Sequence, residues 1–358
     1  MSPDIMNSVL RLTRAGRLHD ATKALQNALS RQSPQNPPDT ISGVETRHTA
    51  RPLRPLGEVV SKLGKLRPKL LRKPHGPQVH VPDGAKFLEG SFTCAAGTRA
   101  YRLYMPKAPG THRRGLLVML HGCTQNSADF AAGTRMNEWA ETQGMLVAYP
   151  DQTKTANSSA CWNWFNSLDQ VHGQGEPSII AGITAKIIAT YNIDPQQVFI
   201  AGLSAGGAMA LVLGHTYPDL YGAVGVHSGL PYRSASDVIS AFAAMRGETR
   251  HHFSPLKPRV IVFHGDADKT VHPSNAAAMM PSSKGHAVHT IHGVSDGGMK
   301  YTRKIVRDSS LTHLSEQWIL HGAGHAWSGG SPEGSYTDSK GPNASQQMLA
   351  FFLGRNGI

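Results

Sequence analysis

The chain has 358 residues, of which 39% are apolar and 17% are charged, with 37 glycines and 23 prolines. This composition is typical of a globular protein with many turns and excludes a disordered or fibrous chain. The formal net charge is +12, but residues 1–75 hold 14 Lys and Arg against 5 Asp and Glu, so the rest of the chain gives little reason to expect a nucleic acid partner.

The N-terminal part is predicted to be an extension of the main domain. Apolar residues within 5–29 recur at steps of three or four, as from Leu18 to Leu29, which predicts a helical segment over residues 1–32. Residues 33–81 are rich in proline and in basic side chains, which predicts a poorly ordered linker. We expect this basic extension to be a solvated tether or to contact an anionic surface.

Two observations bear on the compartment. No run of 18 consecutive apolar residues occurs, so no transmembrane helix is expected. Arg11, Arg14 and Arg17 interrupt the apolar residues near the start, so the first 30 residues lack the apolar core of a secretory signal. The start of the sequence therefore predicts a cytoplasmic protein.

Residues 82–358 are predicted to form one domain of the α/β class. Strand-like apolar runs alternate with helical patterns, which indicates a mostly parallel sheet with helices on both faces. The predicted strands are 87–95 and 99–105 (paired around Ala96-Gly97), Leu116–Leu120, Met145–Tyr149, Val198–Gly202, Ala223–His227, Arg259–His264 and Glu316–His321. The predicted helices are 127–142, 178–191, 205–215 and Ala344–Phe352. Because chemistry in such sheets collects at the carboxyl ends of the strands, the loops that follow them are the candidate site.

A nucleophile is predicted at Ser204. The apolar strand runs directly into Gly202-Leu203-Ser204-Ala205-Gly206, and a helical pattern follows at once. This order of strand, sharp turn and helix is the context that a Gly-x-Ser-x-Gly nucleophile requires. The residues two before and two after the serine crowd together, so both must be small, and the helix N-terminus points its amides at developing negative charge.

A serine hydroxyl needs an imidazole to accept its proton and an acid to orient that imidazole. Both residue types follow later strands in the order Ser, Asp, His. The order fits a triad of Ser204, Asp268 and His325. Asp266 and His321 compete for the two later roles, and we interpret Asp266 as an aspartate that stabilises a turn and His321 as a residue that packs at the strand end.

Acyl transfer also needs two donors where the carbonyl oxygen becomes negative. One is expected from the backbone N–H of Ala205, directly after the nucleophile. The other is expected from the backbone N–H of Cys123 or Thr124, in the loop after Leu116–Leu120, although a plain glycine turn is an alternative for that loop.

The segment Cys161-Trp162-Asn163-Trp164-Phe165 follows another strand end. Its aromatic residues suit an apolar pocket for an acyl group or a polymer, or else a small satellite core under a long loop. Cys123 and Cys161 both lie in strand-end loops, so a disulfide between them is expected, with a buried thiol pair as the alternative.

A metal centre is the less favoured interpretation. His286, His289 and His292 recur every third residue, but no carboxylate or cysteine pattern accompanies them. We therefore expect no zinc site and no effect of chelation on activity.

Together these motifs resemble a known family. The sequences Leu120-His121-Gly122-Cys123-Thr124-Gln125, Cys161–Phe165, Gly202–Gly207, His264-Gly265 with Asp268 and Val271, Gly324–Gly330, Gly334–Asp338 and Gly341-Pro342 are similar to polyhydroxybutyrate-depolymerase-type esterases. These are α/β-hydrolases related to feruloyl and acetylxylan esterases. The resemblance covers about residues 84–353.

The resemblance implies hydrolysis of carboxylic esters through an acyl-enzyme, with no cofactor. It favours Asp268 over Asp266, and we expect Gln125, Trp162, Trp164 and Trp327 to bind substrate. Poly- or oligo-3-hydroxybutyrate or a similar hydroxyalkanoate ester is the expected substrate. The alternatives are a feruloyl or acetylxylan esterase, a peptidase or acyltransferase with the same triad, and an inactive binding module. Many relatives are secreted, so an extracellular location is the alternative to the cytoplasm.

Overall fold

The computed structural model describes residues 78–107, 115–249, 256–281, 286–307 and 313–354. The predicted helical segment 1–32 and nearly all of the predicted linker 33–81 lie outside these residues. Within the described ranges, none of the helices combines the length and the apolar character needed to cross a lipid bilayer.

Ten strands of the described chain form one sheet. They are β1 (Lys86–Cys94), β2 (Gly97–Met105), β3 (Leu116–Leu120), β4 (Leu146–Pro150), β5 (Val198–Leu203), β6 (Ala223–His227), β7 (Arg259–Gly265), β8 (Ala287–Val294), β9 (Lys300–Arg307) and β10 (His313–Leu320). Their order in the sheet is β1-β2-β4-β3-β5-β6-β7-β10-β9-β8. The six central strands from β4 to β10 run parallel, while β1, β2, β8 and β9 add antiparallel edges. A short parallel pair, β11 (Trp327–Ser328) and β12 (Thr337–Asp338), lies apart from the sheet. The mostly parallel sheet predicted from the sequence is confirmed.

Helices cover both faces of this sheet. They are α1 (Ser127–Thr134), α2 (Met136–Gln143), α3 (Gly175–Tyr191), α4 (Ala205–Thr216), α5 (Val238–Met245), α6 (Ser274–Ala278) and α7 (Ala344–Phe352), and two short 3-10 helices occupy Ser167–Gln170 and Pro195–Gln197. Alternate residues of each strand enter opposite cores. On β3, Leu116 packs with α3 and α4, whereas Leu117 packs with α1, α2 and α7. The carboxyl ends of the parallel strands therefore share one edge of the sheet, and an apolar core covered by helices lies on each face of that sheet.

The predicted helix 127–142 is in fact two helices. Arg135 adopts a left-handed backbone conformation with φ 52°, and its N–H bonds to Ala131 O at the end of α1. A Cβ placed on Gly133 would lie 3.3 Å from Gly334 Cα, so α1 ends against another segment of chain. This contact spans 200 residues, which explains why helical periodicity alone did not predict the break.

Two other features of the sheet differ from the prediction. The β1–β2 hairpin turns at Ala95-Ala96, because Cys94 pairs with Gly97, so the predicted turn was one residue too late. The strands β8 and β9 were not predicted, because β8 is mostly exposed at the sheet edge and β9, which lies between β8 and β10, has Lys or Arg at four of its eight positions. His289 and His292 lie three residues apart on β8 and so project to opposite faces, which does not suit a shared metal site.

Candidate active site

Ser204 occupies a strained turn between β5 and α4. Its backbone has φ 57° and ψ −121°, and its N–H donates to His227 O at 2.8 Å. A Cβ placed on Gly202 would lie 2.4 Å from the backbone of Gly206, and one on Gly206 would lie 2.1 Å from Leu120 O. The crowding expected on either side of the serine is therefore present, and it leaves room only for glycine at both positions.

Asp268 and His325 are brought together by the loops after β7 and β10. Asp268 is only 5% exposed, and its Oδ2 lies 2.7 Å from His325 Nδ1. The other oxygen of Asp268 accepts the backbone N–H groups of Thr270 and Val271 at 2.8 and 2.9 Å. Burial alone would raise the pKa of Asp268, but the hydrogen bond and charge of His325 and the Val271 N–H together hold that pKa below its usual value. The carboxylate is therefore ionised and suited to orient the His325 ring.

A second Asp–His pair lies at the same edge. Asp266 Oδ2 is 2.8 Å from His321 Nδ1, and Asp266 Oδ1 accepts the Gly322 N–H at 2.7 Å. Both side chains of this pair are 41% exposed. Burial would raise the pKa of Asp266, but its bonds to His321 and Gly322 lower it. The pair fits the turn-stabilising role expected of Asp266, while His321 is exposed instead of packed.

The histidine His227, at the end of β6, connects the nucleophile turn to the segment that carries His325. Besides its carbonyl bond to Ser204, its ring Nε2 accepts the Ser328 N–H at 3.0 Å. The ring is fully buried and stacks on Phe263 and Trp327 at centroid distances of 5.7 and 5.2 Å. Burial, followed by the charges of His264 and His325, lowers the pKa of His227 to about 3. His227 is thus a neutral positioning residue.

The oxyanion loop comprises Gly122, Cys123 and Thr124 and lies beside the nucleophile, since a Cβ on Gly122 would be 3.5 Å from Ser204 Cβ. Thr124 was one of two expected donors, but its N–H already donates to Ser159 O at 2.7 Å, so that assignment is wrong. The Cys123 N–H has no hydrogen-bond partner among the described residues. The Ala205 N–H, at the first position of α4, likewise has none within the described part of the chain. These two amides are the candidate oxyanion donors.

The buried side chain of Gln125 holds this loop through hydrogen bonds. Its Oε1 accepts the Gly122 N–H at 2.9 Å, and its Nε2 donates to Asp129 Oδ2 and Ser335 O at 2.9 and 3.0 Å. The prediction that Gln125 binds substrate is therefore replaced by a role in positioning the oxyanion loop.

The disulfide Cys123–Cys161 is present, with a Cα–Cα distance of 4.2 Å. It joins the oxyanion loop to the aromatic segment after β4. Trp162 is fully buried and Trp164 is nearly so, within the same core as α3 and α4. Trp327 is 1% exposed and donates through Nε1 to Ser345 Oγ at 3.1 Å. The expectation that these three indole rings contact substrate is corrected: they form packed support under the site.

The structure does not join every member of the predicted triad. Within the described chain, Ser204 Oγ makes no hydrogen bond, so the hydrogen bond between Ser204 and His325 is not formed. Such contacts are often long without substrate and tighten when it binds. Sequence reasoning also missed His227, although its place at a strand end is the signal that identified Asp268 and His325.

Comparison with known proteins places the chain in a family. The family model described as esterase PHB depolymerase matches residues 99–284. Poly(3-hydroxyalkanoate) depolymerase C of Paucimonas lemoignei is 33% identical over 226 residues, covering 59% of this chain and 54% of that protein. Acetylxylan esterase A of Talaromyces purpureogenus is 31% identical over 201 residues, covering 51% of each.

The structure of an acetyl xylan esterase from Aspergillus awamori matches with a TM-score of 0.57 at 21% identity, covering 66% of this chain and 94% of that one. At this identity the match supports the fold alone, which is of the α/β-hydrolase type. The chain spans about half the length of the curated relatives it matches. The family model covers more than half of the chain, and the protein therefore belongs to the esterase PHB depolymerase family.

Proposed function

We propose that the protein is a serine hydrolase that cleaves carboxylic esters through an acyl-enzyme. The observation that carries this proposal is the hydrogen-bonded pair of buried Asp268 and partly exposed His325, at the same sheet edge as the strained Ser204 turn. Two unpaired amides beside that turn, those of Cys123 and Ala205, supply the oxyanion donors the chemistry requires.

The reaction follows from this geometry. Ser204 Oγ attacks the ester carbonyl carbon while its proton passes to His325 Nε2, and the carbonyl oxygen becomes negative between the amides of Cys123 and Ala205. Asp268 keeps the Nδ1 proton of His325 in place and stabilises the imidazolium. The carbon–oxygen bond to the alcohol then breaks, and His325 gives its proton to the leaving alcohol. Water, deprotonated by His325, repeats the sequence and releases the acid. No step calls for a cofactor.

The natural substrate we propose is a poly- or oligo-3-hydroxybutyrate or a similar hydroxyalkanoate ester. The similarity to a poly(3-hydroxyalkanoate) depolymerase over 226 residues supports this class. The similarity to acetylxylan esterase A supports a second candidate, an acetyl ester of a plant-wall polysaccharide.

The test compares the wild type with Ser204→Ala on p-nitrophenyl butyrate, 3-hydroxybutyrate oligomers, acetylated xylan, feruloyl esters and a peptide panel. We expect Ser204→Ala to lose at least about 10⁴-fold in kcat on every ester while unfolding at the same urea concentration as the wild type. Undiminished turnover by this variant would overturn the mechanism. Faster hydrolysis of acetylated xylan than of the oligomers would replace the proposed substrate.

We also propose an extracellular location for the protein. The Cys123–Cys161 disulfide supports an oxidising environment, because such bonds form and persist outside the reducing cytoplasm. This favours the extracellular alternative over the cytoplasmic expectation. Thiol trapping of protein taken directly from the native host, with fully reduced Cys123 and Cys161 as the contrary result, tests it.

A further inference from the structure

Tyr336 is linked both to the segment that carries His325 and to the residues that support the oxyanion loop. Its carbonyl accepts the Trp327 N–H at 2.7 Å, and Trp327 follows His325 by two residues. The preceding residue, Ser335, donates its N–H to Asp129 at 2.9 Å and accepts from Gln125. The backbone around Tyr336 is thus held both to the segment of the base and to the support of the oxyanion loop.

Tyr336 is 43% exposed, and its side chain reaches the oxyanion loop. Its hydroxyl lies 3.2 Å from Thr124 Oγ1. Thr124 is exposed and directly follows Cys123, the candidate oxyanion donor. The hydroxyl groups of two exposed residues therefore meet next to the candidate oxyanion donor Cys123.

Both residues adopt strained backbone conformations. Thr124 has φ 65° and Tyr336 has φ 53°, in the left-handed region that branched and aromatic side chains rarely adopt. Backbone hydrogen bonds hold both conformations: the Thr124 N–H donates to Ser159 O, and Tyr336 O accepts the Trp327 N–H, each at 2.7 Å. Strain of this kind concentrates where a site must hold a group in a fixed place.

The chemistry of the pair defines what it can bind. When one hydroxyl donates to the other, the acceptor hydroxyl still has a free proton, so the pair can donate one hydrogen bond outward. The leaving alcohol must face His325, which protonates it, whereas this pair belongs to the loop that would hold the carbonyl. Because the pair adjoins the candidate carbonyl donor while the alcohol faces His325, we assign the outward donor to the acyl part of the substrate.

We propose that Thr124 and Tyr336 form a subsite that donates a hydrogen bond to a second oxygen on the acyl chain of the substrate. In the proposed hydroxyalkanoate substrate this second oxygen is the 3-oxygen, so the subsite would select 3-oxygenated acyl groups over plain fatty acyl groups of the same length. The proposal rests on the proposed ester hydrolysis at Ser204 and assigns its acyl specificity to two residues outside the triad.

The experiment measures kcat and KM by pH-stat for ethyl butyrate and ethyl (R)-3-hydroxybutyrate, which differ by one oxygen. Tyr336→Phe keeps the ring and removes the hydroxyl. We expect this variant to lose roughly tenfold in kcat/KM on the hydroxy ester, the effect of one hydrogen bond, and less than twofold on ethyl butyrate. Thr124→Val should reproduce that selective loss, and Thr124→Ser should restore the wild-type preference.

Tyr191→Phe, on α3, is the matched control for removing a tyrosine hydroxyl and should change neither rate. Equal losses on both esters, or no loss on either, in Tyr336→Phe would overturn the subsite. If the wild type cleaves neither ester and Ser204 is not labelled by a fluorophosphonate, the proposed function fails and the subsite fails with it. Labelling at an unchanged rate in Tyr336→Phe separates a loss of specificity from a loss of the triad.

Discussion

The neutral, buried His227 predicts that acid destabilises the fold well above the pH at which its carboxylates protonate. Folded His227 has a pKa of about 3, because burial disfavours its charged form, against an ordinary value of 6.5. Between these two values the unfolded chain binds a proton that the folded chain does not. Protonation of His227 therefore leaves the free energy of unfolding unchanged above pH 6.5 and lowers it as the pH decreases from 6.5 toward 3.

The magnitude follows from the same two values. Each pKa unit corresponds to about 1.4 kcal/mol, so His227 alone accounts for a loss of about 5 kcal/mol over the whole interval. Burial also lowers the pKa values of His121 and His264, so they add to the loss in the same direction. The groups that act on His227 are His264 and His325, which lower its pKa, and Asp268, which raises it.

The assay is urea denaturation at pH 7, 6, 5 and 4, compared between the wild type and His227→Gln. The glutamine carbonyl can still accept the Ser328 N–H, but the side chain does not titrate. The variant loses ring stacking and is expected to be less stable at pH 7, so the measured quantity is the slope of the unfolding free energy against pH. We expect that slope to fall by about 1.4 kcal/mol per pH unit in the variant. Equal slopes in the two proteins would refute the buried, neutral state of His227.

Two further predictions concern the acid and the disulfide. Asp268→Asn should reduce kcat on p-nitrophenyl butyrate by on the order of 10⁴-fold, because His325 loses its orienting carboxylate. Asp266→Asn is the matched control and should cost less than about tenfold, since its pair is exposed; similar losses would contradict the assignment of the acid. Replacing both Cys123 and Cys161 with serine should lower the unfolding free energy by about 4 kcal/mol, from chain entropy over a separation of 38 residues. The double variant should also have a lower kcat, because the candidate oxyanion donor Cys123 is held less firmly. Full activity and stability of the double variant, or of the wild type in dithiothreitol, would show that the disulfide supports neither activity nor stability.

The parts of the site that sequence could predict are those set by local pattern and chain order. Small residues in a strand–turn–helix context predict Ser204, and a Cβ on either flanking glycine would lie within 2.5 Å of backbone atoms. Asp268 and His325 were predicted because each follows a strand of the same parallel sheet, and the structure brings these two side chains into hydrogen-bond contact. Parallel strands place their carboxyl ends at one edge, so residues far apart in sequence meet there.

The parts that sequence could not predict depend on contacts between distant segments. Thr124 and Cys123 are equivalent candidates in the sequence, and only the carbonyl of Ser159 distinguishes them. The aromatic residues Trp162 and Trp327 suit a pocket wall or a core equally well, and the choice depends on how their loops fold back. Periodicity contains no information about either choice.

The restraints on the site act on its backbone more than on its reacting atoms. Three long-range contacts hold the oxyanion loop: the disulfide to Cys161, the bond from Thr124 to Ser159 O, and the bonds of Gln125 to Gly122 and Ser335. The base segment is held by His227 through the Ser328 N–H. Ser204 Oγ, in contrast, has no hydrogen bond to any described residue. Under the proposed mechanism, the fold fixes the two candidate oxyanion donors before substrate binds and leaves the candidate nucleophile, Ser204, without a restraining hydrogen bond, an arrangement that would stabilise the transition state without tightening the ground state.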